Sequence, residues 1–421
     1  MRHPTAEDGL PLELVTIGNE LLLGFTADTN GAEIARVLAA VGVRVVRRTS
    51  VGDRADDIRD AVHQALGRTG AVLTTGGLGP TRDDVTKHAV ADLFDAPFQF
   101  DPAVWSDLVD RFARLGRTPP SSNRSQAEVP RGATVLRNRW GTAPGLWLEG
   151  VPGLVIMLPG VPGEMRQLLE HEVVPRLVGR AGGLVIRSRL VRTTAIAESA
   201  LAERMGDIER EIAPLTLAYL PGPDGVDLRL SAWQVPLAEA DRRLAAAAAL
   251  LRERAGEHAY GGDDADLAAA VLDAARARRL SLATAESCTG GLVGGRLTAV
   301  PGSSDVYVGG VVCYANELKT RLLGVAPTLL EVHGAVSEPV ALAMARGAVE
   351  RVGAGAAVSV TGIAGPGGGS EEKPVGTIWV AVAVGTRAEA RRAILSGDRQ
   401  EIRARAAQLS LFRLLRILLN D

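Results

Sequence analysis

Ser287, Lys319 and Tyr314 are residue types that acyl transfer requires, and each sits where an apolar stretch gives way to a turn. Opening an amide takes a nucleophile, a base for the nucleophile's proton, and donors for the tetrahedral oxyanion. Ser287 lies in Ala285-Glu286-Ser287-Cys288-Thr289-Gly290-Gly291, before a Gly-opened helix whose first amides are free donors. Lys319 closes Tyr314-Ala315-Asn316-Glu317-Leu318-Lys319 after another apolar stretch. Partly desolvated and therefore partly neutral, it could accept the Ser287 proton. Tyr314 could relay that proton or orient the lysine. A third such segment runs from Thr361-Gly362 through Gly365 to Ser370, and is rich in glycine. Arg399 and Arg403, one helical turn apart, suit a substrate phosphate as forked donors.

The same residues admit plainer roles. Ser287 and Thr289 have the types of helix caps. Lys319 and Arg403 would by default be solvated charges. The glycine run can be a flexible loop, and Cys288 reads as a small buried residue. Three reactive segments, each following an apolar run, favour the chemical reading.

A second constellation is Thr74-Thr75-Gly76-Gly77-Leu78-Gly79-Pro80-Thr81-Arg82-Asp83-Asp84. Glycine-exposed amides after a strand suit a phosphate. Asp83 and Asp84 would repel one unless a divalent cation bridges carboxylate and phosphate oxygens. The alternative is that Thr81, Asp83 and Asp84 only cap the next helix.

The elements that must position these groups alternate. Residues 12–17, 43–49 and 71–75 read as strands; Ile34, Val37, Leu38 and Val41, then Ile58, Val62 and Leu66, mark the helices between them. That order predicts a parallel sheet with right-handed crossovers and a ligand site beyond its strand ends. Residues 183–257 read as a small α+β spacer or assembly module. Its pattern resembles a K-homology arrangement, and the reading expects no G-x-x-G clamp for a nucleic-acid backbone in it. Residues 261–264 read as a linker. From residue 264 the chain alternates again, with strands at 280–285, 306–314, 356–361 and 377–384, a helix at 289–299 and a closing helix after Asp398. In a parallel sheet the three reactive strand ends gather at one edge.

Composition agrees with layered α/β domains: aromatics are 4% of the 421 residues and glycines number 48. A formal charge of −2 gives no global attraction to nucleic acid or to an anionic membrane. Two cysteines cannot make a disulfide framework, residues 1–11 lack the apolar core of a secretory signal, and no apolar run approaches membrane-spanning length. The expectation is a cytoplasmic protein.

The strings TAESCTGG, GGVVCYANELK, GAVSEP, VTGIAGPGGGSEEKPVGTIWVA and SGDRQEIRARA resemble the C-terminal domain of the competence/damage-inducible CinA family. That domain is the nicotinamide-nucleotide amidase family, which deamidates nicotinamide mononucleotide without a cofactor. The resemblance implies Ser287 as nucleophile, Lys319 as its activator and Tyr314 nearby. It places Thr289, Gly290, Gly291, Asn316, Thr361, Gly362, Gly365 and Arg399 or Arg403 on the substrate. Ala315 stands where many relatives have Ser.

IGNELLLG, TTGGLGPTRDDVT, Asn123-Arg124-Ser125-Gln126-Ala127, Gly141-Thr142-Ala143-Pro144-Gly145 and LPGVPGEM resemble the family's N-terminal domain, which is similar to the molybdopterin-binding fold. The implied activity is metal-dependent hydrolysis of ADP-ribose to AMP and ribose 5-phosphate, with magnesium or a similar ion. The carry-over puts nucleotide on Gly76, Gly77, Gly79, Thr81, Asn30 and Asn123, metal on Asp83, Asp84 and Glu20, and makes Asp28 a further partner. Fold likeness alone does not establish pterin binding. The resemblance thus implies domains at 12–176, 183–257 and 264–421 and a homodimer acting on small nucleotides, without membrane or direct nucleic-acid contact. Two alternatives remain open: an N-terminal domain that binds pterin or nucleotide and is catalytically idle, and a non-enzymatic partner in competence or recombination.

Overall fold

Buried apolar runs set the architecture. The computed structural model describes residues 10–180, 182–263 and 265–420. The stretch 1–9 and the domain-end residues Asp264 and Asp421 therefore lie outside the described residues. The chain divides into two compact units, residues 1–187 with 232–243 and residues 188–231 with 244–421.

The first unit is built on a six-stranded sheet in the order Val43–Val51, Leu10–Ile17, Ala71–Thr75, Leu154–Leu158, Gly145–Glu149, Thr134–Leu136. The first four strands are parallel. The last two run antiparallel, an addition to the all-parallel sheet the sequence suggested. Both faces are covered, as parallel strands require. Alternate residues of the first strand supply each side: Leu12 and Leu14 meet Ile34 and Leu38, while Val15 and Ile17 meet Ile58 and Val62. Glu13 is buried in that strand and accepts from Arg68 at 2.6 and 2.8 Å.

The second unit contains the sheet Tyr307–Val312, Leu282–Glu286, Ala356–Gly362, Thr377–Val384, Arg387–Ile394. Its first three strands are parallel, so their C-terminal ends reach one edge. The last two are antiparallel. Leu282, Val358, Val360 and Ile378 pack with the helix Arg399–Asn420 on one face. Ala283, Ala285 and Ala357 pack with the helix Glu338–Val352 on the other.

The smaller module does contain a G-x-x-G string, Gly222-Pro223-Asp224-Gly225, contrary to the sequence expectation. It is the turn of an antiparallel hairpin in which Gly222 pairs with Gly225. Its Asp224 carbonyl already accepts from Thr194 Oγ at 2.7 Å and from Gln408 Nε2 at 2.9 Å. Gln408 is buried on the C-terminal helix, so this polar bond ties the hairpin to the same unit as the Ser287 sheet. Among the described residues, no helix is long and apolar enough to cross a membrane.

Candidate active site

The three parallel strand ends bring Ser287, Lys319 and the Thr361-Gly362 turn together around a cavity of about 200 Å³. Tyr314, Asn316 and Arg399 also line it. Ala335, Val336 and Ala364 complete the wall; these apolar positions carried no chemical signal of their own. The volume falls below the roughly 300–1,000 Å³ typical of ligand pockets. It therefore suits the reacting end of a larger molecule.

Lys319 is 1% exposed and is the largest fully buried side chain, which excludes the solvated-charge reading. Its Nζ donates to Ser287 Oγ at 3.1 Å, to the Cys313 carbonyl at 2.9 Å and to the Tyr314 carbonyl at 3.0 Å. An ammonium group has three protons for these three oxygens. Once neutral it keeps two, which the two carbonyls hold. The lone pair then faces Ser287, as a base must. Burial lowers the Lys319 pKa from its ordinary value and makes that neutral form accessible.

Both thiols near Lys319 are disabled by the same burial. Cys288 is pushed up to about 12, and Cys313 is raised as well. Neither is a thiolate at neutral pH, so the hydroxyl of Ser287 is the nucleophile this cavity offers.

Glu286 is the residue the sequence reading missed. Its carboxylate is 1% exposed and accepts from Thr289 Oγ1 at 2.7 Å and from the amides of Gly291, Val293 and Gly294 at 2.8–3.1 Å. Those amides are therefore not free for substrate, and the helix starts at Leu292, after Thr289, Gly290 and Gly291. Gly290 donates to the Ser287 carbonyl instead. Ser287 is spared the capping role and keeps its hydroxyl for Lys319. Among the described residues, the Cys288 and Thr289 amides have no backbone oxygen acceptor; both N–H groups stand beside the nucleophile and are directed at the Cys288 thiol.

The two arginines divide their work. Arg403 donates to the carbonyls of Cys288 at 3.1 Å and Thr289 at 2.9 Å, and does not line the cavity. It fixes the peptide planes that follow Ser287. Arg399 lines the cavity and donates to the Gly365 carbonyl at 2.5 Å and to the Tyr314 hydroxyl at 3.2 Å. Tyr314 thus meets Lys319 through its carbonyl, while its phenol faces Arg399. Thr361 Oγ1 donates to the Ala335 carbonyl and holds that wall in place.

In the first unit the Gly76–Pro80 turn follows its strand as read. Gly76 has φ 111°, and a Cβ there would strike the Ile17 carbonyl oxygen. Among the described residues, the amides of Gly77, Leu78 and Gly79 have no acceptor. Asn30 Nδ2 reaches the Gly160 carbonyl at 2.7 Å and Thr75 Oγ1 at 3.3 Å, and its buried Oδ1 has no partner. Asp84 accepts from the Thr81 amide at 2.8 Å and from its hydroxyl, closing the turn, while Asp83 is exposed. Neither aspartate caps the helix Thr86–Leu93. Asn123 is buried and donates to Gln126, and Glu20 is exposed at the first strand's end. Among the described residues, no three His, Cys, Asp or Glu side chains cluster for a metal, so Glu20 does not join Asp83 and Asp84 in a three-carboxylate set.

Lys87 was not legible from sequence. It is buried, donates to the carbonyls of Ser125 and Glu128, and has its pKa lowered to about 8 by burial. It lines a cavity of about 480 Å³ with Thr81, Asp84 and Arg124.

Fold and site define a multidomain α/β protein whose C-terminal sheet edge holds a buried serine–lysine pair. Three family models match consecutive stretches: the probable molybdopterin binding domain over residues 13–178, the damage-inducible protein CinA KH domain over 188–261, and the CinA C-terminal domain over 264–418. A CinA-like protein of Gemmatimonas aurantiaca is 56% identical over 97% of this chain and 96% of its own. A putative competence-damage inducible protein of Symbiobacterium thermophilum is 45% identical over 97% and 99%. The solved competence/damage inducible protein CihA of Agrobacterium tumefaciens is 42% identical over 37% of this chain and 94% of that one, with a TM-score of 0.35. The chain belongs to the CinA family.

Proposed function

We propose that the C-terminal domain deamidates nicotinamide mononucleotide to nicotinate mononucleotide and ammonia, using Ser287 and Lys319. The observation that carries the reading is the buried Ser287–Lys319 hydrogen bond in the wall of the cavity. Ser287 Oγ attacks the amide carbon while its proton passes to neutral Lys319 Nζ. The amides of Cys288 and Thr289 stabilise the oxyanion. The C–N bond breaks as Lys319 returns the proton to the departing ammonia. Water then opens the acyl ester, again with Lys319 as base, and restores Ser287. Arg399 holds the phosphate end of the nucleotide.

In the same proposal the N-terminal domain hydrolyses ADP-ribose to AMP and ribose 5-phosphate. The unpartnered amides of Gly77 to Gly79 support phosphate binding. Two carboxylates with substrate phosphates and water make the oxygen donor set that magnesium favours, so Asp83 and Asp84 fit that ion. Bound there, it would neutralise phosphate charge. The protein works in the cytoplasm as a homodimer on small nucleotides, without membrane or direct nucleic-acid contact.

The test is product analysis of the full chain. Nicotinate mononucleotide should form in excess chelator, and AMP should form from ADP-ribose only with divalent metal. AMP formation unchanged in Asp83→Asn/Asp84→Asn would remove the second assignment, and retained pterin fluorescence would favour an idle binding domain.

A further inference from the structure

Across the sheet from Ser287 lies a basic cavity that the amidase chemistry does not use. Its volume is about 640 Å³. Arg346, Arg387, Arg391, Arg413 and Arg416 line it, against only two carboxylates, Glu257 and Glu389. The strand register fixes its place. Val384, in its wall, pairs with Ala356, whereas Ile378 pairs with Gly362 at the Ser287 end. Those ends are six residue steps apart along the strand, about 20 Å at the usual rise.

Arginine near the end of a helix has an ordinary explanation, since cations complement the negative end of the helix dipole. That explanation reaches only the last turn, and the helix Arg399–Asn420, which carries Arg413 and Arg416, has no basic residue there. Nor does the dipole account for Arg346 on the helix Glu338–Val352, or for Arg387 and Arg391 on the edge strand Arg387–Ile394. Among the described residues, Arg346, Arg391 and Arg413 have no carboxylate at ion-pair distance, and Arg416 has only Glu257, at 3.5 Å. The Nε atom of Arg413 is buried without a hydrogen-bond acceptor, and that of Arg416 meets only the Glu257 carboxylate, at 3.5 Å. Buried donors of this kind are costly unless something accepts from them.

We propose that this cavity binds a polyphosphate chain, either free or carried by a nucleoside. Guanidinium forks match phosphoryl oxygens two at a time, and several forks around one cavity suit several phosphoryl groups. Val382, Val384 and Ile417 form an apolar wall beside them, on which a nucleoside can rest. The helix that carries Arg413 and Arg416 carries Arg399 at its other end, so the two sites share one rigid element.

The experiment is calorimetric titration of the full chain with inorganic tripolyphosphate, and separately with ATP, in chelator. The variants are Arg346→Gln/Arg391→Gln, both at exposed positions, and Arg413→Gln. The proposal expects binding to weaken at least tenfold in the double variant and in Arg413→Gln, with unliganded melting temperature and nicotinamide mononucleotide turnover unchanged in the double variant. Equal affinity for the two probes assigns a free polyphosphate, and tighter ATP assigns a nucleotide. No binding of either probe, or isotherms identical in native and double variant, overturns the proposal.

Discussion

Lys319 Nζ stands 3.1 Å from Ser287 Oγ, with its two remaining donors held by the carbonyls of Cys313 and Tyr314. The arrangement makes the protonation state of one amine decide whether Ser287 is a hydrogen-bond acceptor or a nucleophile. The lysine is held by main chain on two sides and by burial on the rest, so its geometry does not depend on a second titrating side chain.

The pH dependence follows in sign. In the proposed reaction neutral Lys319 is the active form, and burial lowers its pKa below the ordinary lysine value. Deamidation kcat/KM should rise with pH through one ionisation below the usual lysine range, then level off. Below that ionisation the rate falls tenfold per pH unit. Initial rates from about pH 5 to 10 measure this; a rate flat across that range would mean that Lys319 is not the base.

Glu286 should matter more to folding than to binding. Glu286→Leu strands a hydroxyl and three amides in the interior and should cost about 3–5 kcal/mol, since buried donors lose their only acceptor. Glu286→Gln keeps one acceptor oxygen and should cost less. Denaturant unfolding of the full chain compares them, and equal stability of Glu286→Leu and native would contradict the assigned role.

Arg399 and Arg403 should separate kinetically. Arg399→Ala removes a guanidinium from the cavity and should raise KM roughly 10- to 100-fold, the loss of a charge-assisted hydrogen bond. Arg403→Ala frees the Cys288 and Thr289 carbonyls and should lower kcat with little change in KM. Steady-state kinetics on both variants reads the split.

Gly76→Ala tests the first unit. A positive φ and the Ile17 carbonyl both oppose a side chain there, so stability should fall by at least about 1–3 kcal/mol. ADP-ribose hydrolysis should fall with it. An unchanged melting temperature would show that the turn is not built as described.

Much of this was legible because buried strands read as apolar runs. Residues 71–75 and 282–286 stand out in that way, and the glycine turn at 76–80 follows directly. Lys319 was legible as a base only through its place after a strand; its three partners depend on how the chain folds around it. Glu286 was not legible, because a carboxylate usually caps within three residues, whereas this one reaches amides five to eight positions ahead. The edge strand Arg387–Ile394 hid behind its charges, which alternate with alanines and blunt an exposed edge. The hairpin at Gly222–Gly225 was overlooked as a G-x-x-G string, and its strand-to-strand setting is visible only in the fold.

The most direct test is ammonia release from nicotinamide mononucleotide in excess chelator by the native chain, Ser287→Ala, Lys319→Ala and Lys319→Arg. The account predicts turnover by the native chain and a loss of about 10³-fold or more in Ser287→Ala. It predicts about 10²- to 10⁴-fold loss in both lysine variants, because alanine supplies no base and arginine cannot surrender its proton. No release by the folded native chain, or native-like release by Ser287→Ala, would contradict it.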